Sequence, residues 1–141
     1  MKKAAAFILL TALLFSACSK KKDIKLKAFS SEAFAYQMGD SSEVDATARV
    51  SGFLQKEENG MYSATIGYNI DLVTPKGDTV KSMISKIMDK TNKEKISEIP
   101  IEIQFDLDST YAKGNYRLIF NIKDVLSDQT AVTSAGFTVG E

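Results

Sequence analysis

Tyr62-Ser63-Ala64-Thr65-Ile66-Gly67-Tyr68-Asn69-Ile70-Asp71-Leu72 decides the fold class. Tyr62, Ala64, Ile66, Tyr68, Ile70 and Leu72 alternate without a break with Ser63, Thr65, Gly67, Asn69 and Asp71. In a β-strand successive side chains point to opposite faces, so this period of two puts one apolar row on a core and one polar row outward. Six inward positions make a strand long enough to cross a whole sheet.

The reading extends in both directions. On the N-terminal side Val44, Ala46, Ala48 and Val50 alternate with Asp45, Thr47, Arg49 and Ser51. Between the two runs lies Glu57-Glu58-Asn59-Gly60. Asn-Gly is a strong hairpin signal because both turn positions require positive φ. On the C-terminal side Pro75-Lys76-Gly77-Asp78 marks a turn. Ile99, Ile101, Ile103, Phe105 and Leu107 alternate next, with Pro100 near the strand start. Then come Tyr116, Leu118, Phe120 and Ile122, a turn over Asp124 to Gln129, and Ala131, Thr133, Ala135, Phe137 and Val139.

Residues 79–98 read two ways. Val80, Met83, Ile84, Ile87 and Met88 recur at helical spacing, with Asp78 or Thr79 as a cap. The same stretch serves as an edge strand whose lysines block further pairing. Strand neighbours on both sides favour the strand, followed by a polar connection from Lys90 to Lys95. The sum is an all-β antiparallel sandwich of about seven strands with turns between them.

The other informative residue is Cys18, the only cysteine. Lys2 and Lys3 precede an apolar run from Ala4 to Ala17, and Ser16 and Ala17 sit directly before the thiol. That is a charged n-region, a short h-region and a small-residue cleavage site. Leu14-Phe15-Ser16-Ala17-Cys18 resembles the lipobox of bacterial lipoproteins, with Phe15 where leucine is usual. The resemblance implies cleavage before Cys18 and acylation of its sulfur. It divides the chain into a signal peptide at 1–17, a lipidated cysteine with a basic tether at 18–23, and a domain at 24–141. A run of about 14 apolar residues is too short to span a bilayer, which needs about 20. Two or more acyl chains hold a protein stably at a membrane, and Lys20, Lys21 and Lys22 would lie against the headgroups. The expected location is the bacterial cell envelope, lipid-anchored at the outer membrane or a periplasmic face.

Gly114-Asn115-Tyr116, Ile122-Lys123-Asp124 and Phe137-Thr138-Val139 resemble the last two strands of immunoglobulin-like or fibronectin-type-III-like domains. By that resemblance Tyr116 is the residue of a tyrosine corner, its hydroxyl bonding backbone a few residues upstream.

Composition narrows the chemistry. The chain has 18 basic and 18 acidic residues; setting aside Lys2, Lys3, Lys20, Lys21 and Lys22 leaves 13 basic against 18 acidic from Asp23 onward. An acidic domain argues against a nucleic-acid partner. There is no histidine, which removes Ser-His-Asp, Cys-His and His-ligated zinc chemistry, and no tryptophan to stack a sugar. With one cysteine the fold has no internal disulfide.

Several constellations remain. Glu102, Asp106 and Asp108 share a strand face at about 7 Å per same-face step, but outward strand positions are ordinarily polar. Asp106, Asp108, Asp124 and Asp128 would bind Ca²⁺ if the strand ends converged, against the common role of turn aspartates in local backbone bonding. Met61, Met83 and Met88 read as core filler rather than soft-metal ligands. Lys81, Lys86, Lys90, Lys93 and Lys95 concentrate positive charge on one segment, either a solvated edge or a docking surface for an acidic partner or lipid headgroups. The Tyr62/Tyr68 stripe reads as core. These leave no catalytic residue and no cofactor. The expected function is a non-catalytic, membrane-anchored envelope lipoprotein serving as an interaction or structural module, held by membrane lipid and meeting an envelope protein partner. The alternative is a small-ligand-binding lipoprotein for a sugar, peptide or Ca²⁺.

Overall fold

The computed structural model describes residues 24–140; the expected signal peptide, Cys18 with the expected basic tether, and Glu141 lie outside the described residues. The chain forms eight strands and no helix among the described residues: β1 (Lys27–Met38), β2 (Ser41–Ser51), β3 (Lys56–Glu58), β4 (Met61–Val73), β5 (Thr79–Asn92), β6 (Glu98–Leu107), β7 (Gly114–Asp124) and β8 (Thr130–Val139). Every pairing is antiparallel. One sheet is β1-β2-β6; the other joins β3, β4, β7 and β8, with β5 also paired to β4. The architecture is the expected all-β immunoglobulin-like sandwich. The extra strand is the short β3, which pairs Glu58 with Met61 across Asn59 (φ 51°) and Gly60 (φ 75°). So the Asn-Gly turn forms, but it joins a three-residue stub to β4. The Val44–Ser51 run that precedes it belongs to the opposite sheet.

Inward rows from both sheets make the core. Val44, Ala46, Ala48 and Val50 on β2, Ile66, Ile70 and Leu72 on β4, Ile99 and Ile101 on β6, and Leu118, Phe120 and Ile122 on β7 are buried. Burial of such apolar area is the main favourable term in folding, at about 25 cal/mol per Å². The chain before β1 is fastened too. The Leu26 N–H donates to Gln129 Oε1 at 2.8 Å, and Gln129 Nε2 donates to the Ile24 carbonyl at 2.8 Å. It passes so close to Gly52 (φ 74°) that a Cβ there would lie 2.0 Å from the Lys25 carbonyl oxygen, so only glycine fits.

The two sides of the sandwich differ. On one, β1 runs alongside β8: Ser31 Oγ donates to the Ser134 carbonyl at 2.7 Å and bonds Thr133 Oγ1 at 2.9 Å. On the other side β5 and β6 are free edges. Pro100 is the third residue of β6 rather than the first, and an edge strand tolerates its missing N–H.

The strand reading of residues 79–98 holds and the helical one does not. β5 runs to Asn92, so Lys90 belongs to the strand and the connection shrinks to the residues after Asn92. Ile84 and Met88 pair with inward Ile70 and Ile66, whereas Ile87 points outward and is 74% exposed. A bulge facing Asp71 puts three residues between Val80 and Ile84 where β4 has only Asp71 between Ile70 and Leu72. Ile84 and Met88 are four apart as ordinary same-face strand positions, and the insertion sets Val80 four before Ile84, so strand geometry and not a helix gives the i, i+4 spacing.

Candidate functional site

Tyr116 does what the immunoglobulin-like resemblance implies. At the start of β7 its hydroxyl donates to the Ala112 carbonyl at 2.5 Å, and its ring stacks on Phe137 with centroids 5.3 Å apart. Burial, with the Tyr111 phenol nearby, pushes its pKa up.

The four aspartates weighed for calcium do not meet. Asp106 and Asp108 are exposed at the end of β6 that leads into β7. Asp124 closes the opposite end of β7, about 30 Å away at strand rise. Asp108 is occupied locally: the Thr110 hydroxyl and N–H both bond its Oδ1 and hold its pKa down. Asp124 is fully buried and accepts from the Leu54 N–H (2.7 Å), the Leu126 N–H (3.1 Å) and Ser127 Oγ (2.6 Å). Asp128 reaches Lys123 at 3.3 Å. Among the described residues no group of three metal-ligating side chains converges. Cys18 lies outside the described residues.

The other candidates also separate. Met83 and Met88 pack against the core, while Met61 is exposed at the β3–β4 turn. Tyr68 is buried and Tyr62 half-buried. Lys86 and Lys90 line the free β5 edge, and Lys93 and Lys95 follow it, all exposed.

Lys81 instead turns back to Asp71, a residue that alternation alone places outward on β4. Asp71 is buried because the β5 bulge folds over it. Ser82, in the left-handed region at φ 49°, aims its N–H at Asp71 Oδ1 (2.8 Å). Lys81 Nζ reaches Oδ2 at 3.2 Å, and Asn121 Nδ2 donates both to Oδ2 (3.1 Å) and to Asn69 Oδ1 (3.0 Å). The Ser82 N–H is the main reason the Asp71 pKa is lowered; burial opposes it, and Lys81 and Asn121 add to it. Beside this network the outer surface of the larger sheet dips over Gly67. The open depression, about 570 Å³, is lined by Gly67, Asn69, Ser85, Ile87, Asn121 and Lys123.

The outer face of the smaller sheet has a different character. β1 pairs with β2 so that Ala33 and Ala35 face inward opposite Ala46 and Val44. Phe34, Tyr36 and Met38 therefore face out, 55%, 51% and 57% exposed. The register then sets rows across the sheet: Phe34, Asp45 and Gln104 in one, Tyr36, Glu43 and Asp106 in the next. Glu32, Thr47 and Glu102 form a third. Glu43 and Asp106 stand directly opposite as like charges, a destabilising arrangement. The basic residues of this face, Arg49 and Lys27, lie at its other end, where Arg49 pairs with Glu98. Among the described residues no ion pair reaches Glu32, Glu43, Asp45, Glu102 or Asp106. The sequence carried this stripe as Phe34-x-Tyr36-x-Met38, but in a phase that alternation alone would have turned inward.

No family model matches the chain, and no curated protein does. Among solved structures it is similar to the N-terminal domain of PorA, at 9% identity over 76% of this chain and 84% of that one, with a TM-score of 0.40. It is similar also to the seventh PapD-like (ASH) domain of human CEP192, at 13% identity over 91% of this chain and 92% of that one, with a TM-score of 0.41. Neither carries an argument about activity.

Proposed function

We propose that this protein is a non-catalytic lipoprotein of the bacterial envelope, held to a membrane through acylated Cys18 and acting as an interaction module. The single observation that carries the interaction role is the Phe34–Tyr36–Met38 stripe, exposed on a regular strand of a domain whose core is complete without it. Aromatic residues and methionine are enriched where proteins meet, and contiguous exposed apolar surface marks such sites. The lipobox resemblance supports the anchoring part, and a sequence with no histidine and a single cysteine supports the non-catalytic part. Two measurements test it. Radiolabelled palmitate is expected to enter the wild-type protein and not Cys18→Ser. A photo-crosslinking amino acid placed at Tyr36 is expected to trap a distinct protein in intact cells. Absence of adducts from Phe34, Tyr36 and Met38 alike would refute the interaction role.

The second reading, a small-ligand-binding lipoprotein, is favoured by the depression over Gly67, with Asn69, Ser85 and Asn121 in its lining. A neutral sugar or short peptide suits those groups better than Ca²⁺ does. A ligand-dependent rise in melting temperature, abolished by Gly67→Leu, would support it by mass action.

A further inference from the structure

We infer that the outer face of β1 and β2 docks an extended polypeptide carrying arginines at alternate positions, an Arg-x-Arg strand. The inference rests on the interaction role proposed above and names the chemistry of the partner.

Two neighbouring rows repeat the same pair of features. Phe34 stands opposite Asp45, and Tyr36 stands opposite Glu43. Opposed Cβ atoms on adjacent strands are about 5 Å apart. Each row therefore sets an aromatic ring beside a carboxylate at side-chain contact range. Guanidinium satisfies both at once, since it stacks on a ring face and pairs with a carboxylate through a planar fork of donors. Successive same-face positions on a strand lie about 7 Å apart. An extended partner laid along β1 meets that repeat with every second side chain. Asp106, opposite Glu43, supplies a further acceptor and a like-charge contact that a bound cation relieves.

Other occupants fit less well. An anionic lipid surface is repelled by Glu32, Glu43, Asp45, Glu102 and Asp106. The chain's own basic run, Lys20–Lys22, is all lysine and brings no guanidinium to stack on the rings. A second copy could offer Lys86 and Lys90 from its β5 edge, but lysine presents a point charge without the planar fork that both rows call for.

The test uses the full-length lipoprotein in nanodiscs of zwitterionic lipid and fluorescein-labelled decapeptides, read by anisotropy. A peptide alternating Arg and Thr is expected to bind about ten-fold more tightly than one alternating Lys and Thr, and than one with Arg at every third position. The double variant Phe34→Ala/Tyr36→Ala is expected to weaken that binding at least about ten-fold, a usual cost of removing interface anchors. Lys86→Ala/Lys90→Ala is expected to leave it unchanged. Thermal unfolding of the aromatic variant should match wild type, since both rings are exposed. Equal affinity for all three peptides, undiminished binding without the rings, or nanodisc dimers that dissolve with Lys86→Ala/Lys90→Ala would each overturn the inference. A cross-linked partner at Tyr36 that ignores the arginine peptide as competitor would overturn it while leaving the interaction role standing.

Discussion

The two outer faces of this sandwich treat their polar groups in opposite ways. On the larger sheet, Asp71 is covered by a bulge and held by Ser82, Lys81 and Asn121. Thr65 bonds Asp89 further along β4, and Thr138 bonds Asn115 between β8 and β7. On the smaller sheet, Glu43, Asp45 and Asp106 stand in adjacent rows without an internal counter-charge, next to exposed rings. Carboxylates on the first sheet close the fold on itself. Glu43, Asp45 and Asp106 on the second make no ion pair within the described residues. A buried charge must be paired or the fold loses several kcal/mol, whereas charges in contact with water cost little when left unpaired.

Substitution can break this contrast. The largest effect is expected at Asp124, whose carboxylate ties the β7–β8 turn to Leu54. Asp124→Ala strands two N–H groups and a hydroxyl, and should cost about 3 kcal/mol or more in urea unfolding. Asp71→Asn should cost about 2 kcal/mol at neutral pH, because it removes the charge that Lys81 and the Ser82 N–H face. It also carries a pH signature. The folded pKa of Asp71 lies below its unfolded value, so its contribution is complete above the ordinary carboxylate pKa of about 4 and is lost as pH falls through the folded value. The gap between wild type and Asp71→Asn should therefore be constant from pH 7 to about 5 and close below about 4. A gap that widened in acid would contradict the assignment.

Asn121→Ala should cost about 1 kcal/mol through its two side-chain bonds, measured by denaturant midpoint. Glu43→Gln, the smallest effect, has the opposite sign. Relieving repulsion from Asp106 should stabilise the domain by about 0.5 kcal/mol, with the gain shrinking at high salt. A loss of stability there would mean that the smaller sheet, too, uses its carboxylates to hold itself together.

How much was legible beforehand varies by element. β4, β6 and β7 announce themselves through long unbroken alternation, and the Asn59-Gly60 turn through its backbone demand. Tyr116 could be placed from the residues around it. β3 could not, because Lys56-Glu57-Glu58 has no apolar row to bury. β1 was blurred for another reason: its small residues face the core where β1 crowds β8, and its large ones face water. The Gly39-Asp40 pair, which closes the β1–β2 hairpin with Gly39 at φ 66°, was the available signal for its end. Asp71 was hidden because the bulge that buries it lies on another strand.

The residue order by itself determined that most of the domain from Ile24 onward is β and where most strands begin and turn, since period-two alternation and glycine turns are local properties. It also determined the lone thiol behind an apolar leader. Only the tertiary structure decided which phase of β1 meets solvent, and hence that Phe34 and Tyr36 stand beside Asp45 and Glu43. Alternation defines two faces without saying which is inside; in the folded chain Ala33 and Ala35 take the inward row opposite Ala46 and Val44, and the rings take the outward one.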